Sequence, residues 1–285
     1  MFDFSPTKTD QASLSLYADL FKACFPSATH LGVNYLEWLY RANPAGEVVG
    51  FDAFSEGRLA GHYVCVPADV LVEGQSKRAL LSLNTATHPD FQGRGLFTEL
   101  AKRTYERGAG LGFDLVYGIA NANSTPGFVR KLGFQLVCPL DARISIGKPL
   151  TIDWSRVARI ASFRRIWDAP QFKWRCSNPT NRVFASESNG VLSAFARTNR
   201  RGIIVYGETS AVPGLDLSAQ RTAPPLPRIF LGLIPESTAQ RGISAEIPRA
   251  FRPSPLNFIH RPLNASVDDL SPGKISLSFL DFDAY

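Results

Sequence analysis

The 285-residue sequence is poor in cysteine, with four spread widely at Cys24, Cys65, Cys138 and Cys176. No CxxC pair or neighbouring histidine cluster accompanies them, so neither a zinc site nor a disulfide framework is expected, and a reducing compartment fits best. Long apolar runs are missing too. Nothing approaches the roughly 18 uninterrupted apolar residues of a membrane span, and the opening ten residues carry acidic side chains where a signal peptide needs an apolar stretch. These absences predict a soluble cytoplasmic protein with no metal and no membrane partner. Lys and Arg exceed Asp and Glu to give a formal charge of +6. The basic residues are scattered, as at Arg164-Arg165 and Arg200-Arg201, without the dense block or basic helix of a nucleic-acid surface.

What is present is ordinary globular material, 45% hydrophobic and 20% charged. The length suits two units of roughly 140 residues each. From Asp10 to Cys24, Leu14, Leu16, Ala18, Leu20, Phe21 and Cys24 approximate a helical stripe that Pro26 stops, and a shorter helix fits Asn34 to Tyr40 with Asn34 as its cap. Strand-like runs follow at Val48 to Ser55, Leu59 to Val66 and Leu80 to Thr87, the first two joined by the turn signal Glu56-Gly57. After Pro89 strands alternate with helices: Gly95 to Gly108 helical, Leu115 to Ile119 a buried strand, Pro126 to Leu132 helical, and Phe134 to Val137 a strand. A meander feeding such a unit predicts a mixed sheet with helices on its faces.

Lys148 to Pro170 reads as a linker with a short basic helix, after which the first half is echoed. Tyr35-Leu36-Glu37-Trp38 with Asn43-Pro44 is matched by Phe172-Lys173-Trp174 with Asn178-Pro179, and the hairpin around Glu56-Gly57 by the one around Asn189-Gly190. The echo predicts a degenerate tandem repeat, divided as 1–147 and 148–285. Trp38 and Trp174 sit on helical stripes and read as core anchors, and Pro224-Pro225-Leu226-Pro227 as a stiff connection. The second copy lacks a glycine-rich turn; Gln240-Arg241-Gly242 is its nearest approach.

Chemistry concentrates between Leu83 and Phe97, where a strand, a proline stop, the turn Gln92-Gly93-Arg94-Gly95 and a helix start follow in order. A first helical turn offers unpaired N–H groups and partial positive charge, which suits a diphosphate. Gly93 and Gly95 permit unusual dihedrals and Arg94 adds charge-assisted contact. A dinucleotide fingerprint fits poorly and a P-loop is excluded, since no Gly-Lys-Ser/Thr closes the turn.

This segment resembles the GNAT N-acetyltransferase superfamily, whose Gln/Arg-x-x-Gly-x-Gly/Ala signature is met by Gln92 and Gly95, with Phe97 replacing the last small residue. Asn121 to Pro126 and Lys131-Leu132-Gly133-Phe134 extend the resemblance over about residues 10 to 145. It implies an α/β (α+β) fold, with a GNAT-type mixed, mostly antiparallel sheet flanked by helices, in tandem with a degenerate GNAT-like domain that shapes the acceptor cleft. The resemblance implies acetyl-CoA as cosubstrate. Backbone groups near Thr85 and Thr87 would pair with the pantetheine arm, Gln92, Gly93, Arg94 and Gly95 would hold the pyrophosphate, and Asn123 would reach the cofactor or cap the next helix.

The implied reaction is direct acetyl transfer to a primary amine, a small molecule or amino sugar, with no covalent nucleophile and no metal. The family's tyrosine acid, four residues before the glycine of Leu-Gly-Phe, is here Val129. Ser124, Tyr105, Tyr117 or a water are left as acids, and His88 or Glu37 as bases; Asn84 does not titrate. Double-domain members of the enhanced-intracellular-survival type use their terminal carboxylate as base, and this chain ends Asp281-Phe282-Asp283-Ala284-Tyr285. Two alternatives stand beside this reading: tRNA-dependent aminoacyl transfer, as in peptidoglycan-bridge transferases, and a non-catalytic acyl-CoA-binding or scaffold protein. The acceptor and the oligomeric state are open at this level.

Overall fold

The computed structural model describes residues 1–217, 220–252 and 254–282. Strand β1 (Asp3–Pro6) precedes helix α1 (Gln11–Cys24), which starts where the Asp10 carboxylate accepts the Ser13 N–H at 3.0 Å. Its buried face is Leu14, Tyr17, Leu20 and Phe21, so Tyr17 belongs to the stripe and the half-exposed Leu16 does not. Helix α2 (Val33–Tyr40) begins after Gly32, which places Asn34 inside the helix and not at its cap.

Strands β2 (Val49–Ser55), β3 (Arg58–Val72) and β4 (Gln75–Thr87) form the expected antiparallel meander. Glu56-Gly57 and Glu73-Gly74 make its turns, each with two consecutive positive φ angles, the twist that two-residue hairpins favour. Helix α3 (Leu96–Gly110) then crosses to β5 (Leu115–Ala120), parallel to β4, and α4 (Thr125–Leu132) leads to β6 (Gln135–Pro139).

Strand β7 (Asp141–Ser145) ends the first half, and the second opens with β8 (Leu150–Ile152), α5 (Trp154–Ile160) and β9 (Phe163–Arg165). The stretch read as a linker is therefore built into the sheet: β9 pairs with β3 antiparallel and carries Phe163 into the core, so Arg164-Arg165 is strand. Helix α6 (Ala169–Cys176), the hairpin β10 (Phe184–Ser188) and β11 (Val191–Arg197), and β12 (Ile204–Ser210) follow. Asn189-Gly190 repeats the double positive φ of Glu56-Gly57. Strand β13 (Arg228–Leu233) runs parallel to β12, as β5 does to β4. The remaining strands are β14 (Ala239–Arg241), β15 (Ser244–Glu246), β16 (Asn257–Pro262) and β17 (Ile275–Ser278).

The two halves exchange strands. Between β5 and β6 of the first half lies β16, antiparallel to both, with Ile259 opposite Gly118 on one side and Leu136 on the other. Conversely β7 lies between β13 and β15 of the second half, with Ile144 opposite Ile229 and Ala245. Each half thus fills the gap in the other's sheet and satisfies backbone groups that would otherwise be an unpaired edge. The apolar clusters follow suit. Leu96, Leu100, Tyr105, Val116 and Phe128 pack under α3 together with Ile259 of the exchanged strand. The cluster under α1 and α2 takes in Leu231, Ile275 and Leu277.

Candidate active site

Strands β4 and β5 stay in register only from Ala79↔Leu115 to Ser82↔Gly118 and then diverge. Beyond that point β4 carries a bulge, because Val64 pairs with Leu83 and His62 with Ala86, leaving Asn84 and Thr85 together opposite Tyr63. Asn84 sits at φ +47°, a left-handed conformation that asparagine tolerates better than most side chains. The divergence opens a cleft of about 700 Å³. Leu83, Asn84, Thr85 and Thr87 form one wall, the turn from Gln92 to Phe97 forms the floor, and Ile119, Asn121, Asn123, Ser124 and Lys131 lie opposite.

The floor is made by local chemistry. His88 Nδ1 accepts the Asp90 N–H at 3.2 Å and starts a single 3₁₀ turn, Pro89–Phe91, after which Gln92 is extended. Gly93 (φ +74°) and Gly95 (φ +78°) then turn the chain into α3, with Gly95 as its N-cap. A Cβ at either glycine would meet nothing within 4 Å, so backbone conformation, and not room, is what requires them. The Leu96 and Phe97 amides, in the first turn, have no intrahelical acceptor and meet the cleft at the positive end of the helix. The exposed Arg94 packs 5.5 Å from the Phe91 ring, and Lys131 adds a second positive charge on the far wall.

Every cofactor position expected from the sequence, Thr85, Thr87, Gln92, Gly93, Arg94, Gly95 and Asn123, lines this one cleft. The proposed acids and bases are dispersed. Ser124 lines the cleft, where its Oγ accepts the Asn121 N–H at 3.1 Å. Tyr105 does not: it lies 2% exposed on the sheet side of α3, its hydroxyl 2.7 Å from that of Tyr63, and burial pushes its pKa well above the usual phenol value. Three turns into a helix whose first turn meets the cleft, it is far from the floor. His88 is occupied as a turn cap outside the lining, and Glu37 is exposed on α2, likewise outside it. Tyr117 is a fully buried core residue, as its strand position suggests. Asn123 does not cap α4: the N-cap position is Ser124, which makes no side-chain capping bond, and the turn before it is held by Asn121, whose Oδ1 accepts the Asn123 and Ser124 N–H groups at 3.0 Å. The terminal carboxylate of Tyr285 lies outside the described residues.

Sequence reading missed Lys131, Phe97 and Phe128 in the lining. The signal was there: Gly127, Phe128 and Lys131 stand at helical spacing on the cleft-facing side of α4.

Among the described residues the second half shows no open counterpart. After Ile204↔Arg228 and Val205↔Ile229, β12 and β13 diverge in the same way, but β17 pairs into the gap, Gly232 with Ser278 and Leu233 with Leu277. Ser278 Oγ and the Phe279 ring come within 3.0–3.1 Å of where a Cβ on Gly207 would stand. Gln240-Arg241-Gly242 falls at β14, which pairs with β8, and introduces no helix. Among the described residues no group of His, Cys, Asp and Glu is arranged to hold a metal, and no helix is long and apolar enough to cross a membrane.

A family profile described as Acetyltransferase (GNAT) domain matches residues 6–137. No curated protein matches the chain by sequence. Among solved structures, a GCN5-related N-acetyltransferase from Anabaena variabilis superimposes with a TM-score of 0.56 at 13% identity, covering 92% of this chain and 73% of that one. Eis1 from Mycobacterium abscessus gives 0.57 at 11% identity, over 93% and 74% of the two chains. A GCN5-related N-acetyltransferase from Kribbella flavida gives 0.58 at 11% identity, over 93% and 73%. At such identities the likeness speaks to fold.

Proposed function

With a GNAT domain at residues 6–137 the chain is a member of the GNAT superfamily and an acyltransferase, and we propose that it moves an acetyl group from acetyl-CoA to a primary amine by direct transfer. The observation that carries this reading is the notch between β4 and β5, open beside the Gly93–Gly95 turn and flanked by Arg94 and Lys131. The pyrophosphate would lie on the first turn of α3, where N–H groups and the helix dipole favour an anion. Past Ser82, β4 has no partner strand on the β5 side among the described residues, and the pantetheine arm would run along that edge as an added strand does.

The chemistry asks little of the protein beyond alignment. A neutral amine attacks the thioester carbonyl carbon, the carbon–sulfur bond breaks, the amine loses one proton and the departing thiolate gains one. Ser124 is the sequence-nominated proton donor that lines the cleft, and it stands on the β5 side of it. A small amine or amino sugar is the acceptor class proposed.

Titration calorimetry tests the reading. Acetyl-CoA should bind the wild type, and Gly95→Trp, which places a large ring where the chain turns into α3, should abolish binding. Unchanged affinity in that variant would refute the site. Half-buried Val129, standing where the family has a tyrosine acid, favours a second reading: an acyl-CoA-binding protein without turnover. Tight acetyl-CoA binding with no thiol release across a broad amine panel would decide for it.

A further inference from the structure

Beneath the bulge of β4 lies a chain of hydrogen-bonded polar side chains. Asn84 Nδ2 donates to the Tyr40 hydroxyl at 3.3 Å, and Tyr40 Oη stands 2.9 Å from His62 Nε2. His62 Nδ1 is 2.6 Å from Asp52 Oδ1, and Tyr17 donates to Asp52 Oδ2 at 2.7 Å. A carboxylate only accepts, so in the neutral imidazole the arrangement places the proton on Nδ1, lets Nε2 accept from Tyr40, and leaves the Tyr40 oxygen to accept from Asn84. Tyr40 and His62 are fully buried and Asp52 is 2% exposed. The imidazole is stacked on Tyr17 at 4.1 Å with the Phe21 ring edge-on to it.

Burying such a series inside an apolar cluster is costly unless it is fully satisfied, and leucine or phenylalanine would fill the same space without that cost. One end of the chain ties to the N-terminal segment through Thr7 and Lys8. The other end emerges in the cleft, at the residue whose left-handed φ makes the bulge. A rigid tether on that side chain holds a strained piece of backbone in one conformation.

Resting on acetyl-CoA as the donor, we infer that Tyr40, backed by His62 and Asp52, is a positioning residue that fixes Asn84 and so aims the bulged edge of β4 at the acyl carbonyl. N–H groups held in place before reaction are worth more to a developing oxyanion than mobile ones. The relay acts at the reactive end of the donor, whereas the pyrophosphate is held at the α3 turn.

The test uses the full chain and acetyl-CoA labelled with ¹³C at the thioester carbonyl. In the wild type the bound carbonyl resonance should move from its free position as the bulge polarises it. Tyr40→Phe should return it at least about halfway while the dissociation constant for acetyl-CoA stays within about threefold, because the anchoring end is untouched. Asn84→Gly, which keeps the positive φ and removes the tether, should do the same. Tyr40→Phe added to Asn84→Gly should then have no further effect, since both act through one contact. An unmoved resonance in Tyr40→Phe, or full additivity of the two substitutions, overturns the inference. Should Tyr40→Phe fail to fold, Asn84→Gly decides alone, and a wild-type resonance in it is the overturning result. A wild type that does not bind acetyl-CoA overturns the functional reading and this inference with it, so the two failures are told apart.

Discussion

Trp38 and Trp174 stack on each other, ring centroids 4.7 Å apart and planes 16° from parallel, and each indole Nε1–H donates to the other's backbone carbonyl at 2.9 Å. The contact is reciprocal. The residues that make the sequence echo thus touch each other, and the echo is a contact as well as a resemblance.

Replacing either tryptophan with alanine should cost roughly 3–5 kcal/mol of stability, the range for emptying a large buried aromatic site. Phenylalanine keeps most of the packing and loses one hydrogen bond, so about 1–2 kcal/mol is expected. Urea unfolding of the four variants measures both, and equal costs for alanine and phenylalanine would contradict the account.

His260, on the exchanged strand β16, is fully buried, and neither ring nitrogen has a hydrogen-bond partner among the described residues. Desolvation lowers its pKa from 6.5 to about 4. A lowered folded-state pKa means that protonation favours the unfolded chain, so the stabilisation is complete above about pH 6.5 and fades as pH falls toward 4. Between pH 7 and pH 5 the expected loss is about 2 kcal/mol. His260→Leu should remove this part of the dependence in denaturant titrations at the two pH values; identical slopes would exclude His260 as its source.

Gly93→Ala and Gly95→Ala should each cost about 1–2 kcal/mol, the strain of a left-handed alanine, without any steric clash. Gly95→Asn should cost less. Thermal unfolding of the three gives the order, and a neutral Gly95→Ala would mean that the positive φ is not required.

Arg94→Ala and Lys131→Ala should each weaken CoA binding by about threefold to tenfold at low salt, with the difference shrinking as ionic strength rises. Calorimetry at two salt concentrations distinguishes this from a packing effect, which salt would leave alone.

Legibility in the sequence followed the range of the interactions. The α3 start, the three glycine-bearing turns and the wall of the cleft were readable because caps, positive φ and strand ends are written within a few residues of one another, as in Gln92 to Leu96. Helix α2 misled because Asn34 is a good cap by type, yet Gly32 is already extended and begins the helix. Strand β16 was invisible, since nothing near Asn257 names Tyr117 and Gln135 as partners for His260. The same holds for Asp52, His62, Tyr40 and Asn84, which are gathered by strand register and by α2 packing on the sheet, and so carry no common motif. Tyr105 looked available as a proton donor because helical periodicity gives a face but does not say which end of the helix meets the cleft.

Strand exchange also sets the order in which this molecule can be finished. During synthesis β5 and β6 emerge early, but the segment that belongs between them ends at Pro262, so the first half waits on the order of ten seconds with two open edges. Chaperone occupancy and proteolytic vulnerability on the ribosome should both be concentrated in that interval, and a nascent chain halted shortly after Pro139 should be the most easily digested of all.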